Sequence, residues 1–463
     1  MAVAVEVAAP DAAAAHRPAH GRCGRGGHGR IGEVNAEDTA PTVTCVTGRE
    51  VIGAGAADTT LEESEIRAIV AAHADRLALD GQRLLVLIPD GTRTAPLPLL
   101  VDALTAAFAS RVSALDLLIA SGTHPPMAPD AVTALVGQAP GVVHQHDWSQ
   151  PGTFVTLGVI DETEVAALSR GMMRESVPVR INRLVLDYDH LVVCGPVFPH
   201  EVVGFSGGNK YFFPGVSGPE LIDLSHWLGA LITSYEIIGT RGITPVRALI
   251  DRAARLIPTP RSALCFVVAL ESGRLHGLYA GPVEQAWAAA ADLSAAVHIK
   301  DVDRAYHTVV SVVPTMYDDI WVAAKGMYKL EPVVADGGEL ILYAPHVREF
   351  SVTHGALIRR IGYHCRDYFL RQWDRFADVP RGVLAHSTHL TGVGTYDPAT
   401  GIERTRITVT LATGISEQEC RAVGLGYRDP ATIDLNRYAG REAEGVLLVP
   451  RAGELLYRLR TSA

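Results

Sequence analysis

Two histidines, a lysine and six glycines fall within one short stretch of the sequence, residues 194–227. Histidines such as His200 and His226 can carry protons or bind a metal near neutral pH. The run from Gly204 to Lys210 reads GFSGGNK, and its glycines allow backbone amides to approach an anion closely. Lys210 would add a positive charge or an amine nucleophile, although a flexible turn with a solvated lysine is the alternative interpretation. We therefore expect the main chemical centre of the chain here.

Two further polar turns each follow an apolar stretch that predicts a buried strand. They are DGTR at 90–93, after residues 83–89, and SGTHPP at 121–126, after residues 113–120. Arg93 can bind a phosphate or a carboxylate, and Asp90 can position it or bind a sugar hydroxyl. A helix-capping aspartate paired with its neighbouring arginine is the alternative. With His124 in the second turn, the set is typical of a small-molecule pocket.

The order of strand, polar turn and helix recurs along the chain and is typical of α/β proteins. In an open parallel sheet, ligands bind beyond the carboxyl ends of the strands, where Arg93, His124 and His200 are expected to meet. A second series of α/β elements begins near residue 299, and Lys325 lies on its first predicted helix. We therefore predict an α/β fold with two unlike α/β domains and an active-site cleft between them. The predicted segments are a disordered tail (1–45), an N-terminal domain (46–298) and a C-terminal domain (299–463).

Composition narrows the class of protein. The 463 residues are 48% hydrophobic and 20% charged, which is ordinary for a soluble globular chain and gives no reason to expect a membrane partner. The formal net charge of −10 argues against nucleic acid as a partner. Six cysteines lie far apart without a CxxC pair, so reduced, buried thiols are expected rather than disulfides or structural zinc.

The first 45 or so residues are rich in Ala, Gly, His and Arg and show no sustained hydrophobic periodicity, which predicts disorder. Glu6 and Pro10 interrupt the only apolar stretch, which argues against a signal peptide and favours a cytoplasmic location. A soft-metal site in this tail is the less favoured alternative to a solvated low-complexity segment. Its ligands would be His16, His20, Cys23 and His28.

Taken together, these motifs resemble the nickel-pincer-nucleotide-dependent lactate racemase family. The matching motifs are DGTR at 90–93, SGTHPP at 121–126, PHEVVGFSGGNKYFFPG at 199–215, and His226. The resemblance covers roughly residues 50–380 and implies a racemase or epimerase of a small-molecule 2-hydroxy acid. It also implies a nickel pyridinium-3,5-bisthiocarboxylic acid mononucleotide, made by cofactor-biosynthesis enzymes, that accepts a hydride reversibly from C2. Removal of a hydride suits this substrate because its C2 proton is very weakly acidic.

The resemblance also assigns roles to individual residues. It implies that Lys210 attaches the cofactor, that His226 binds the nickel, and that His124 and His200 are the two catalytic bases. The implied nucleotide-binding residues are Asp90, Gly91, Thr92 and Arg93. The implied substrate-binding residues are Lys325, for the carboxylate, and Trp373, as a pocket wall. The N-terminal domain would hold the cofactor, and the C-terminal domain would close over the substrate and exclude water.

Three positions depart from the family pattern. Gly91 and Thr94 replace the bulkier residue and the proline commonly seen around DxTRP, and Val322 stands where lactate racemases have a substrate-binding glutamine. The loss of this amide indicates a substrate other than lactate, with a more apolar or differently shaped C3 substituent.

Two other function classes are compatible with parts of the sequence. A phosphoryl-transfer enzyme would use the lysine loop as a P-loop, but Asn209 and Tyr211 flank Lys210, so the GK[ST] signature is missing. A non-catalytic ligand sensor on the same fold would keep Arg93 and Lys325 and has no need of two bases. Because both histidines are present, the racemase is favoured over the sensor.

Overall fold

The computed structural model describes residues 51–460 of the chain, and these residues belong to one compact unit. The predicted disordered tail and its possible metal ligands lie outside the described residues. Because the described residues cluster as one unit, the predicted boundary between residues 298 and 299 stays a prediction.

The first part of the described chain alternates short strands and helices up to residue 298. Its strands are β1 (Ile52–Gly55), β2 (Arg83–Ile88), β3 (Ala114–Ile119), β4 (Val143–Gln145), β5 (Phe154–Ile160), β6 (Val177–Asn182), β7 (His190–Pro196), β8 (Pro199–His200), β9 (Gly204–Phe205), β10 (Arg261–Val268) and β11 (Leu275–Gly281). Its helices are α1 (Glu63–Leu77), α2 (Leu97–Phe108), α3 (Pro129–Val136), α4 (Glu162–Leu168), α5 (Pro219–Ile232), α6 (Ser234–Ile237), α7 (Pro245–Ala254) and α8 (Val283–His298).

Seven of these strands form a mixed sheet in the order β1-β11-β10-β7-β2-β3-β4. Strands β10, β7, β2, β3 and β4 are parallel, whereas β11 is antiparallel to both β10 and β1. From β2 the chain moves outwards through β3 to β4, and it later returns to add β7 and β10 on the other side of β2. The carboxyl ends of β2 and β7 therefore flank the point where the strand order reverses, which is where open α/β sheets bind ligands.

The central strands form because their sequences are continuously apolar. All seven residues of β7 are buried, as are five of the six residues of β2. Such uninterrupted runs are required when helices cover both faces of a parallel sheet. The polar turns that follow these strands are thereby held at one edge of the sheet.

The second part of the chain forms a smaller parallel sheet. The strands of this second part of the chain are β12 (Ile299–Val302), β13 (Tyr306–Val312), β14 (Val334–Ala344), β15 (Gly394–Asp397), β16 (Ile402–Thr405), β17 (Thr408–Thr413), β18 (Gly426–Tyr427), β19 (Val446–Val449) and β20 (Leu456–Leu459). Its helices are α9 (Ile320–Ala323), α10 (Lys325–Tyr328), α11 (Gly355–Ile361), α12 (Arg366–Leu370), α13 (Arg381–Thr391) and α14 (Glu417–Ala422). Five strands are parallel in the order β18-β17-β14-β13-β19.

The two sheets share one apolar core. Buried side chains from β7, α5, β14 and α13 belong to the same continuous cluster, and α5 packs directly against α13. In the described part of the chain, Cys194, Cys265, Cys365 and Cys420 are buried free thiols, in agreement with their wide spacing. Between residues 51 and 460, no helix is long and apolar enough to cross a membrane.

The predicted α/β class is confirmed, and two predicted helices differ from the structure. Residues 230–257 have the apolar spacing of a helix, but the structure divides them among α5, α6 and α7. The first break follows the end of α5 at Ile232, where Thr233 has a positive φ of 86°, and α7 begins at Pro245. The pattern around residues 371–373 also predicts a helix, but α12 ends at Leu370, because Gln372 leaves the helical region with φ −130° and ψ 30°.

Candidate active site

A cavity of about 470 Å³ lies at the switch point of the seven-stranded sheet. The turns that follow β2, β3 and β7 form one side, and α5 contributes His226. Segments from the second part of the chain, including α9, α10 and α13, form the other side. The structure therefore brings together His124, His200, Lys210 and Lys325, which are far apart in the sequence.

Asp90 and His124 form a hydrogen-bonded pair in this cavity. Asp90 Oδ2 lies 2.5 Å from His124 Nδ1, and Asp90 Oδ1 accepts hydrogen bonds from the amide and hydroxyl of Thr92. Burial alone would raise the pKa of Asp90, but His124, Arg93 and Thr92 together hold it below its usual range. An ionised carboxylate can only accept, so in the neutral form of His124 the proton lies on Nδ1 and Nε2 has a free lone pair.

His200 has the opposite arrangement of its ring nitrogens. The amide of Val202 donates to His200 Nδ1 at 3.1 Å, so the proton of the neutral ring lies on Nε2. Burial, together with Lys210 and Arg93, lowers the pKa of His200 well below its ordinary value and keeps the ring neutral. Glu201 Oε2 lies 3.2 Å from the same Nδ1. In the other tautomer of His200, whose proton lies on Nδ1, this carboxylate can accept a hydrogen bond from it.

His226 is oriented by its own helix, α5. Its Nδ1 donates to the carbonyl oxygen of Ile222 at 2.7 Å, which leaves the Nε2 lone pair unprotonated. Burial, followed by the charge of Lys210, lowers the pKa of His226 to about 4, so the neutral, metal-binding form prevails near pH 7. Within residues 51–460, no group of three or more His, Cys, Asp or Glu side chains is arranged to hold a metal ion.

Lys210 is presented by the glycine-rich loop between β9 and α5. Gly207 and Gly208 have positive φ angles of 83° and 59°, and a Cβ on Gly208 would lie 2.9 Å from Trp287 Cβ. Only glycine combines this conformation with so close a contact. Burial, opposed by Glu201, lowers the pKa of Lys210 to about 8, so the buried amine is more nucleophilic than an ordinary lysine.

Arg247, which no sequence motif indicated, binds the backbone of the glycine-rich loop. Its guanidinium donates to the carbonyl oxygens of Phe205 and Gly207 at 2.6 and 3.1 Å and lies 4.1 Å from the ring of Trp287. Trp287 in turn donates to the carbonyl oxygen of Ser206 at 2.8 Å. These contacts satisfy loop carbonyls that would otherwise be buried without a donor.

A cationic group lies at the DGTR end of the cavity. Arg93 donates to the carbonyl and hydroxyl oxygens of Thr92 at 2.9 and 3.0 Å. Lys325 Nζ donates to the same carbonyl at 3.3 Å and lies 4.6 Å from the ring of Tyr317. Burial, reinforced by Arg93, lowers the pKa of Lys325 well below its ordinary value. This end of the cavity suits an anion such as a carboxylate or phosphate.

The C-terminal segment fixes the DGTR turn, a contact that sequence reasoning missed. Glu454 is buried, and its two carboxylate oxygens accept from the amide and hydroxyl of Thr94 at 3.2 and 3.0 Å. Its backbone carbonyl accepts from Lys329 at 3.1 Å. A proline has no amide proton, so Thr94 makes a contact that the proline expected from the resemblance could not make.

Two of the predicted site residues do not line the cavity. Gly91 lies in the DGTR turn but is absent from the lining, although Asp90, Thr92 and Arg93 contribute to it. The ring of Trp373 packs on Trp227, with centroids 5.4 Å apart, and also does not line the cavity.

A wall of aromatic and imidazole rings lies where Trp373 was expected. The lining residues there are Trp148, Trp321, His354, His386 and His389, and we refer to them as the histidine–tryptophan wall. Trp321 stacks on His386 with centroids 4.1 Å apart and lies 4.7 Å from His354. No local motif indicated this wall, because its members come from separate turns and helices.

The sequence resembles known lactate racemases over its first part. The family described as the lactate racemase N-terminal domain matches residues 56–237, which include all three polar turns and α5. The lactate racemases of Thermoanaerobacterium thermosaccharolyticum and Lactiplantibacillus plantarum are each 24% identical, over 276 and 292 residues. These matches cover 58% and 62% of this chain, and 61% and 65% of the relatives, which is less than two thirds of each relative.

Solved structures resemble a larger part of the chain. A crystal structure of a Thermotoga maritima protein is 32% identical, with a TM-score of 0.81, and the match covers 88% of this chain and all of that one. The lactate racemase apoprotein from T. thermosaccharolyticum has a TM-score of 0.62 over 85% of this chain and 93% of its own. At 18% identity, this second match shows a shared fold.

Proposed function

We propose that the chain is a member of the lactate racemase family and that it racemises or epimerises a 2-hydroxy acid by reversible hydride transfer at C2. The observation that carries the proposal is the pair of oppositely arranged imidazoles in one cavity, with His124 Nε2 free and His200 Nε2 protonated. When bound, a nickel-pincer nucleotide would supply an electron-poor acceptor for the hydride.

The residues present suit such a nucleotide. His226 offers an unprotonated Nε2 to a metal, and neutral imidazole is a good nickel ligand. Lys210 offers a buried amine for covalent attachment, and Arg93 offers a guanidinium for the phosphate. Asp90, Gly91 and Thr92 then shape the turn that places Arg93, since both Asp90 oxygens are already engaged by protein donors.

The two imidazoles can exchange the hydroxyl proton of the substrate. His124 Nε2 takes the C2 hydroxyl proton from one enantiomer, and Asp90 stabilises the resulting imidazolium. His200 donates its Nε2 proton to the oxygen at C2 when the opposite enantiomer forms. For His200 to act as a base at Nε2, its proton must lie on Nδ1, where the Glu201 carboxylate accepts a hydrogen bond from it. The reverse reaction uses the same groups with their roles exchanged.

The remaining polar groups orient the substrate. Lys325 and Arg93 form the cationic end of the cavity, and we assign the substrate carboxylate to Lys325. The α9 and α10 segments, which carry Val322 and Lys325, cover the cavity from the second part of the chain and would exclude water from the 2-keto acid. A cytoplasmic location, where nickel and the cofactor-biosynthesis enzymes are available, belongs to the same proposal.

The test uses protein produced together with nickel and the cofactor-biosynthesis enzymes. We expect one nickel per chain by metal analysis and a mass increase that maps to Lys210. With this holoenzyme, deuterium at C2 of a 2-hydroxy acid should slow the reaction and remain on C2 of the product. It remains because a transferred hydride does not exchange with solvent.

Matched variants separate metal binding from catalysis. His226→Ala should lose the nickel, whereas His124→Ala should keep it, because only His226 presents a free nitrogen from α5 to the metal. Loss of the deuterium to solvent would show proton abstraction and overturn the hydride route. Holoenzyme that binds nickel but converts none of a broad set of 2-hydroxy acids would favour the ligand sensor instead.

A further inference from the structure

A second cavity, of about 10 Å³, adjoins the candidate active site. The residues that line both cavities are Arg93, His200, Glu201, Ser206 and Lys325. Lys329 and Glu454 line only the small cavity. A buried water molecule requires roughly 10–15 Å³ and several polar partners, and the small cavity meets both requirements.

Lys329 is a buried lysine to which the family resemblance assigns no role. It is 4% exposed, and its Nζ donates to the carbonyl oxygen of Glu454 at 3.1 Å and lies 5.8 Å from the ring of Phe198. A charged amine carries more than one N–H donor, so Nζ can also donate to a water in the small cavity. Burial, reinforced by Arg93 and opposed by Glu201, lowers the pKa of Lys329 to about 7. The amine can therefore both give and take a proton near neutral pH.

Charged and titratable groups from several elements face Lys329. They are Arg93, His200, Glu201, His298, Lys325 and Glu454. The positive charges of Arg93 and Lys325 disfavour the charged amine, whereas the carboxylates of Glu201 and Glu454 favour it. Glu201 Oε2 also lies 3.2 Å from His200 Nδ1. Glu201 is therefore the carboxylate that connects Lys329 with His200.

The proton balance of His200 requires a partner at Nδ1. Burial, together with Lys210 and Arg93, disfavours the imidazolium form of this ring. When neutral His200 gives its Nε2 proton to the substrate oxygen, the ring must receive a proton at Nδ1, because an imidazolate anion would form otherwise. When it takes a hydroxyl proton at Nε2, it must release the proton from Nδ1. One proton therefore moves to or from Nδ1 in each direction.

We propose that Lys329, a water molecule in the small cavity and Glu201 form a proton relay to His200 Nδ1. The inference rests on the proposed function and adds Lys329 to its proton pathway. As the Nε2–H bond breaks and the product O–H bond forms, a proton moves from the Lys329 ammonium through the water and the Glu201 carboxylate to Nδ1. Lys329 becomes a neutral amine, Glu201 is again a carboxylate, and His200 stays neutral. In the opposite direction the same protons move back.

The relay also balances the protons of a complete conversion. The hydroxyl proton of the substrate ends on His124, whose ring becomes an imidazolium, and the product receives its hydroxyl proton from His200. After the product leaves, His124 gives its proton to water in the main cavity. Water gives a proton to His200 Nε2, and the relay returns the Nδ1 proton to Lys329. Every residue then regains its starting state.

Two substitutions of Lys329 separate proton transfer from charge and packing. Lys329→Met removes the amine and keeps a side chain of similar length. Lys329→Arg keeps the positive charge, but a guanidinium does not release a proton near neutral pH. If Lys329 acted through its charge or packing, arginine would restore the function, whereas a relay fails in both variants. Lys300→Met, at an exposed lysine outside both cavities, is the matched control.

Single turnovers of the nickel-loaded holoenzyme measure the two directions separately. The probe is the acid converted fastest among lactate, 3-phenyl-2-hydroxypropanoic acid, a four-carbon 2-hydroxy dicarboxylic acid and a six-carbon aldonic acid. Formation of the 2-keto acid from each C2 configuration is followed by rapid quenching, and His124→Ala and His200→Ala identify which base each configuration uses. Where His124 is the base, both Lys329 variants should match the wild type. Where His200 is the base, both should be at least about tenfold slower.

Nuclear magnetic resonance of the full-length protein, labelled with ¹⁵N at histidine, provides a readout without turnover. As the pH rises through about 7, Lys329 loses its proton and the charge of Glu201 is less compensated. The His200 tautomer that donates from Nδ1 to Glu201 should then increase. This change should persist in Lys300→Met and disappear in Lys329→Met and Lys329→Arg. His200→Gln identifies the signals.

Glu201→Gln interrupts the same relay at its carboxylate, so the test does not depend on the folding of the Lys329 variants. It should show the same loss in the His200 direction alone. Equal slowing in both directions, or normal rates in Lys329→Arg, would overturn the relay and leave the proposed function standing. If the holoenzyme converts none of the four acids, the proposed function and the relay fail together.

Discussion

At the scale of single residues, the chemistry depends on which ring nitrogen of each histidine carries the proton. The partners at Nδ1 decide this, because a carboxylate or a carbonyl can only accept and an amide can only donate. Asp90 therefore gives His124 a free Nε2, whereas the hydrogen bond from Val202 favours a protonated Nε2 on His200, and Glu201, 3.2 Å from the same Nδ1, allows the other tautomer. In the proposed reaction, these two histidines would therefore start in complementary states.

This arrangement predicts the behaviour of the two single variants. His124→Ala and His200→Ala should each lower steady-state turnover by about 10²- to 10⁴-fold, the usual contribution of a general acid or base. Nickel content should stay unchanged. In a single turnover, each variant should still form some 2-keto acid, but from opposite enantiomers, since each retains one base. Near-normal turnover in His124→Ala would contradict the two-base mechanism.

At the scale of structural elements, the active-site turns are fixed by residues from distant parts of the chain. Arg247 on α7 binds the carbonyl oxygens of the glycine-rich loop, and Glu454 binds both donors of Thr94. The strands place these turns at one edge of the sheet, but the strands alone do not set the directions of Arg93 and Lys210. The distant contacts provide that orientation.

Glu454→Ala should therefore impair binding more than chemistry. Without the carboxylate, the amide and hydroxyl of Thr94 lose a charge-assisted acceptor, whose loss typically costs on the order of 1.5–3 kcal/mol. We expect KM to rise about tenfold or more with kcat less affected, measured on the holoenzyme. Glu454→Gln keeps one acceptor oxygen and should be intermediate. Glu419→Ala, which removes an exposed partner of Arg359, is the control and should leave KM unchanged.

At the scale of the whole molecule, several histidines of the described residues are buried or partly buried as neutral rings. Burial is the largest cause of a pKa lowered to about 4 for His73, His146, His190, His354 and His389, and to about 3 for His298. When folding lowers the pKa of a histidine, its full contribution to stability is present at pH values above the pKa of that histidine in the unfolded chain, about 6.5. That stabilisation is lost as the pH falls towards the folded value, because the unfolded chain then binds more protons.

Stability should accordingly fall steeply between pH 6.5 and pH 4. The change is measurable as a decreasing urea midpoint, and each buried imidazole contributes on the order of 1–3 kcal/mol. His298, which bonds Ser294 and the carbonyl of Val268 outside the cavity, allows a direct test. His298→Gln should reduce the pH slope by up to about 1.4 kcal/mol per pH unit. The exposed His307→Gln should keep the full slope, and an unchanged slope in His298→Gln would contradict this account.

The sequence alone determined the fold class and the principal polar turns. Strand β7 was predictable because seven consecutive residues are buried and end at a Gly-Pro break, and β2 and β3 were predictable for similar local reasons. Turns that follow parallel strands must lie at one edge of the sheet. The sequence alone therefore predicts one site that contains Asp90, Arg93, His124, His200 and Lys210.

The tertiary structure decided which residues complete that site. Arg247 and Glu454 contact turns that lie about 40 and 360 residues away in the sequence, and Trp321 rather than Trp373 faces the cavity. Neither local propensity nor motif spacing specifies such partners. They depend on how the second part of the chain packs on the first, and that packing is the sum of many weak contacts across one shared apolar core.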